Sequence, residues 1–128
     1  MKRILIDTHV LLWWLSGNAS LGKLSKEMIA DPTNEVFVSG VTPWEISIKR
    51  KKGLLEAPND LDGIVENEGF SKLPISLFHG EEAGNLEEIH RDPFDRMLVA
   101  QAKAEGLELL TADKIIPKYG VKVIDALK

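Results

Sequence analysis

Cysteine is absent from the 128-residue chain, which removes disulfides, thiolate nucleophiles and cysteine-ligated zinc or iron–sulfur centres from consideration. An excess of basic charge is absent too. With 16 Lys+Arg against 20 Asp+Glu, the formal charge is -4, unlike a protein that coats nucleic acid through bulk electrostatics. No apolar run reaches the roughly 20 residues that cross a bilayer, so no membrane association is expected. The most hydrophobic segment, ILIDTHVLLWWL behind Lys2-Arg3, has the outline of a secretory leader, but Asp7 and His9 would sit within its apolar region. It is expected to be folded protein. Low-complexity tracts, fixed-period repeats and lipidation motifs are also missing.

The rest has the make-up of a globular chain, 44% hydrophobic and 28% charged. Its length suits one domain over residues 1–128, with a core large enough to need no covalent staples. The lack of cysteine suits a reducing, cytoplasmic setting.

Patterning predicts short apolar strands alternating with helices. Arg3–Ile6 reads as a strand ending at Asp7, and Thr8–Leu15 as two turns of helix stopped by Ser16-Gly17-Asn18. Residues 20–30 carry apolar side chains at helical spacing. The β-branched and aromatic EVFVS of Glu35–Ser39 predicts a strand. Thr42-Pro43 predicts a helix start, with the hydroxyl as N-cap and proline at the first helical position, running to Gly53. A weak helix over 60–68, a short strand over 72–75 and a helix over 81–89 follow. The clearest helix starts at Asp92-Pro93 and ends at Gly106; strands over 107–111 and 122–124 flank one helical turn at 114–118. This alternation implies a single-domain α/β protein, with helices on both faces of a mainly parallel sheet.

In open sheets of that kind, ligands gather beyond the carboxyl ends of the strands. Asp7 and Asp113 end strands there, while Glu45 and Asp95 lie in the first turns of helices opening at the same rim. Each acid taken singly could be an N-cap or a partner of a helix dipole, and Asp92, just before Pro93, fits a cap better than a ligand. Taken together they point elsewhere. Converging carboxylates cannot all remain ionised without a counter-charge, and Mg²⁺ or Mn²⁺ prefer such oxygen donors. A metal at a strand rim suits phosphodiester hydrolysis by metal-activated water, with no Ser, Cys or Lys nucleophile needed.

The segments that carry this pattern, ILIDTH, TPWEISIK, HRDPFDRMLVAQA and LLTAD, resemble those of PIN-domain ribonucleases, and more narrowly the VapC-type toxins of toxin–antitoxin pairs. The resemblance spans essentially the whole chain. It implies a three-layer α/β/α fold and a catalytic, metal-binding set of Asp7, Glu45, Asp95 and Asp113. Thr8, Asp92 and Thr111 would support that set from outside it. The resemblance further implies Mg²⁺- or Mn²⁺-dependent endoribonuclease activity, a homodimer, and silencing by a small cognate antitoxin protein.

Several features stay open between a structural and a functional reading. Lys49–Lys52 are expected to be solvated cations at a helix C-terminus, the alternative being contacts to RNA phosphates. Arg96, next to Asp95, is the better-placed candidate for a phosphate. The Val10–Leu15 run is apolar all round; Trp13 and Trp14 diverge by about 100°, so the helix is either wedged between layers or exposes a partner surface. His9, His79 and His90 lack zinc-site spacing. The competing class is a non-catalytic or receiver-like signalling module with an acidic pocket. That module would want a second acid beside Asp7, where Thr8-His9 stand, and an acceptor Asp after EVFVS, where Gly40-Val41 stand.

Overall fold

A computed structural model describes residues 1–128. Its centre is a five-stranded sheet in the order β3-β2-β1-β4-β5, with every neighbouring pair parallel. The strands are β1 (Arg3–Ile6), β2 (Glu35–Ser39), β3 (Ser71–Leu73), β4 (Glu108–Thr111) and β5 (Val123–Asp125). The chain builds β1, β2 and β3 towards one edge, then returns past β1 to build β4 and β5 on the other. The point where this order reverses lies between β1 and β4, where parallel sheets open a crevice at their carboxyl ends.

Period-two alternation puts successive strand residues into two separate cores. Ile4, Ile6, Val36, Val38 and Leu110 face α1 (Thr8–Ser16), α2 (Lys23–Ala30) and α4 (Leu61–Asn67). Leu5, Phe37 and Leu109 face the opposite way, against Leu98, Val99 and Ala102 of α6 (Pro93–Glu105) and Ile116 of a short 3₁₀ turn at Ile116–Tyr119. The expected α/β/α layering is therefore present. α3 (Val41–Lys51) sends Val41 into one core and Ile46 into the other, and so leans over the carboxyl rim of the sheet.

The wide apolar surface of α1 is a wedge. Val10 and Leu11 are fully buried, while Leu12 to Leu15 pack part-buried against the first core. The two tryptophans find separate partners: Trp13 turns to His9, and Trp14 packs on Phe70 and donates its indole N–H to Glu68.

Three helices depart from the predicted boundaries, α2 by starting at Lys23 rather than at residue 20. α3 begins at Val41 rather than after Thr42, because the Ser39 hydroxyl, not that of Thr42, accepts the first free amide, from Val41 at 3.0 Å. α5 runs over Leu77–Asn85 instead of 81–89. Ser76 caps it by accepting the His79 amide while donating its own to His79 Nδ1, a capping box with histidine in the place usual for Glu or Gln. Gly106 ends α6 as predicted, in a left-handed conformation (φ 67°) that a side chain would strain.

Candidate metal centre

β1 ends directly on Asp7, whose backbone is extended and whose carboxylate caps α1, accepting the Val10 amide at 2.9 Å. Its other oxygen accepts the Thr111 hydroxyl from the end of β4. That bond ties the two strands together at the switch point. Thr8, the first residue of α1, donates its hydroxyl to Glu45 Oε1 at 2.6 Å and lies 3.3 Å from the Thr42 hydroxyl. Thr42 is therefore a buried neighbour of Glu45 rather than a cap. Asp92 caps α6 by accepting the Phe94 and Asp95 amides through one oxygen. Asp113 accepts the Ile115 and Ile116 amides, and its own amide donates to Thr111.

Capping and convergence thus occur together. Asp7, Glu45, Asp92, Asp95 and Asp113 line one pocket of about 390 Å³, completed by Thr8, His9, Trp13, Lys49, His90 and Ala112. All four acids expected at the centre are there, and so are Thr8 and Asp92. Thr111 lies beneath, joined to Asp7.

Five carboxylates in one pocket repel. Burial pushes Asp95 up to about 7, with the charges of Asp92 and Asp113 adding to the rise. Asp7, 7% exposed, is also raised; burial outweighs its bonds from Thr111 and Val10. Asp113 goes the other way. Burial opposes its ionisation, but the His90 ring and the amides of Ile116 and Ile115 hold it below the usual carboxylate range.

His90 is a member of the site that the sequence pattern does not predict. Its Nε2 lies 3.1 Å from Asp95 Oδ2 and 3.0 Å from Asp113 Oδ2. Because Nδ1 accepts the Asp92 amide at 3.2 Å, the ring proton sits on Nε2 and points at both carboxylates. A ring nitrogen of His90 and one carboxylate oxygen each of Asp95 and Asp113 lie within 4.8 Å of one another, with His90 placed as donor to the two acids. The signal in the sequence is position: His90 lies two residues before the Asp92 cap, in the loop that delivers Asp95. The absence of zinc-type spacing conceals it. Lys49, expected to be solvated, instead bonds Glu45 one helical turn earlier.

Arg96 is corrected in the opposite direction. Its guanidinium donates to the carbonyls of Ala83, Leu86 and Glu87 at 2.9–3.1 Å, with longer contacts to His90 O and Tyr119 Oη. With its donors consumed by the 83–90 segment, it is not available to a phosphate and serves to fix the loop that carries His90.

The donor set is oxygen-rich, crowded and short of positive charge, which is what a hard divalent cation requires. The threonines orient the acids, and Thr8 supplies a test of this: Thr8→Val should cost about 1–3 kcal/mol in chemical denaturation, because the buried Glu45 loses a donor. Thr8→Ser should cost much less.

A family model described as the PIN domain matches residues 4–122. No curated protein is similar enough in sequence to be matched. Solved structures are similar in fold at low identity. The DNA-bound VapBC complex of Salmonella typhimurium aligns with a TM-score of 0.70 and 16% identity, covering 98% of each chain. The promoter-DNA complex of VapBC2 from Rickettsia felis gives 0.67 and 12%, over 96% of this chain and 98% of that one. FitAcB from Neisseria gonorrhoeae gives 0.61 and 19%, over 96% and 97%.

Proposed function

As the chain belongs to the PIN-domain family, we propose that it is a divalent-metal-dependent endoribonuclease and the toxin of a toxin–antitoxin pair. The observation that carries the reading is the meeting of Asp7, Glu45, Asp95 and Asp113 in one pocket at the switch point of the sheet.

Asp7, Glu45, Asp95 and Asp113 would hold the ion, either Mg²⁺ or Mn²⁺. When bound, it would lower the pKa of a water molecule and offset charge on the phosphate and the leaving oxygen. The protein's own groups do the rest. Thr111 and Thr8 fix the orientation of Asp7 and Glu45, the α6 amides fix Asp92, and His90 holds Asp95 and Asp113 together. RNA is favoured as substrate by the resemblance of HRDPFDRMLVAQA and LLTAD to the ribonuclease toxins.

The toxin assignment is supported by the described nature of the similar structures, among them a toxin–antitoxin complex from Klebsiella pneumoniae. By that analogy the chain would be silenced by a cognate antitoxin protein, and its resemblance to the VapC-type toxins implies a homodimer. No helix is long and apolar enough to cross a membrane.

Incubation of the purified protein with total cellular RNA tests the reading. With millimolar Mn²⁺ or Mg²⁺ a small set of discrete new ends is expected, and excess chelator should suppress them at least about 10²-fold. Intact RNA in both metals, or cleavage indifferent to chelator, would contradict it.

A further inference from the structure

Among the pocket's lining residues Lys49 is the single Lys or Arg. It sits one turn beyond Glu45 on α3, with about a quarter of its side chain exposed, and its ammonium bonds Glu45 Oε2. Glu45 itself is almost fully buried, and its other oxygen is taken by Thr8.

Two cations cannot use the same face of Glu45 at full strength. A divalent ion held among these acids would compete with Lys49 for the charge of Glu45. The ammonium rides on a flexible four-carbon stem and can leave without any backbone change. His90 has no such freedom, since its ring is pinned between the Asp92 amide and two carboxylates. Arg50, next along α3, is already committed to the carbonyls of Ala57 and Pro58. An RNA phosphate entering a pocket with five carboxylates therefore meets one mobile cation of the protein.

Resting on the nuclease reading above, we propose that Lys49 is the substrate-phosphate contact of this groove, held on Glu45 until a divalent ion takes Glu45 over. Removing its charge then has opposite effects on the two ligands. Metal binding improves, because an internal competitor is gone, while RNA binding weakens, because a phosphate contact is lost.

Lys49→Met and Lys49→Arg test this in the full chain. Mn²⁺ titrations of the metal-free proteins, read by thermal midpoint, should saturate at an at least about threefold lower concentration in Lys49→Met than in the parent. A fluorescein-labelled single-stranded oligoribonucleotide, titrated in Ca²⁺ as an oxygen-seeking substitute ion, reads the second effect. Lys49→Met should bind it about fivefold more weakly at 0.1 M salt, with the log–log salt slope reduced by about 0.7, the signature of one phosphate contact on a single strand. Lys49→Arg should keep the parent's RNA affinity and slope. An unchanged salt slope, or metal affinity that is unchanged or weaker in Lys49→Met, overturns the proposal. Because neither readout is cleavage, the two ideas fail separately. If Lys49→Met shows these shifts but the parent cuts no RNA, Lys49 stands as an RNA-phosphate contact and the nuclease reading is refuted. A parent that cuts RNA while Lys49→Met keeps the slope does the reverse.

Discussion

Asp95→Asn is expected to stop RNA cleavage while making the metal-free protein harder to melt. Both effects come from one charge. Asp95 sits among Asp92, Asp113 and Asp7 with most of its carboxylate withdrawn from water, and it is pushed up to about 7. Above that pH the folded protein must hold an ion that the unfolded chain holds at no cost. Between about 4 and 7 the folded state takes up a proton that the unfolded state does not, so stability of the metal-free protein rises as the pH falls through this window. Asn supplies a neutral side chain of the same shape and abolishes that slope. At pH 8 the variant should gain about 1–3 kcal/mol, a discounted share of the roughly 1.4 kcal/mol that each tenfold change in proton affinity represents. That corresponds to a midpoint higher by about 4–10 °C. Cleavage should fall by at least about 10²–10³-fold, since one of the four carboxylates proposed to hold the metal has been lost. Thermal melts in chelator from pH 5 to 8, beside a cleavage assay in Mn²⁺, check both halves. A variant that cleaves normally, or melts lower than the parent at pH 8, would contradict the account.

The second large effect is on stability alone. Arg96→Met should lower the melting midpoint by roughly 10 °C or more, the consequence of about 2–4 kcal/mol lost when the Ala83, Leu86 and Glu87 carbonyls lose a charged donor. Lysine should not rescue it, because one point charge cannot span acceptors that a planar fork reaches at once. A direct phosphate contact predicts a different outcome: an unaltered midpoint with weaker RNA binding and a lower salt slope. Differential scanning calorimetry of Arg96→Met and Arg96→Lys separates the two. The structure commits to the first, since the guanidinium faces the loop that precedes α6.

The contrast between Asp95 and Arg96, adjacent on one helix, illustrates what a sequence discloses. Asp95 is legible because strand ends and helix starts are themselves legible. ILI followed by Asp7, EVFVS followed by a helix bearing Glu45, and LLT followed two residues on by Asp113 all deliver acids to one rim once the sheet is parallel. Local chemistry fixes those positions. The destinations of long side chains are not legible, because they depend on which distant backbone groups come within reach. Arg96 finds carbonyls 6 to 13 residues away, and His90 reaches Asp113 across 23 residues. Lys49 escapes notice for a simpler reason. Seen as one cationic block, 49–52 hides that its first member stands four residues from Glu45, on the same helix face. The shifted α5 has a local cause too: His79 in a capping box is an unusual substitute, and Gly80 and Gly84 weaken the helical pattern that would reveal it.

Everything functional depends on whether these acids bind a doubly charged ion as a unit. Isothermal titration of Mn²⁺ into the metal-free protein, repeated on Asp95→Asn, measures that directly. A saturable isotherm is expected for the parent, weakened at least about tenfold by the single substitution. Heats that never saturate at millimolar Mn²⁺, or identical isotherms for the two proteins, would mean that the carboxylates serve only the local structure around them.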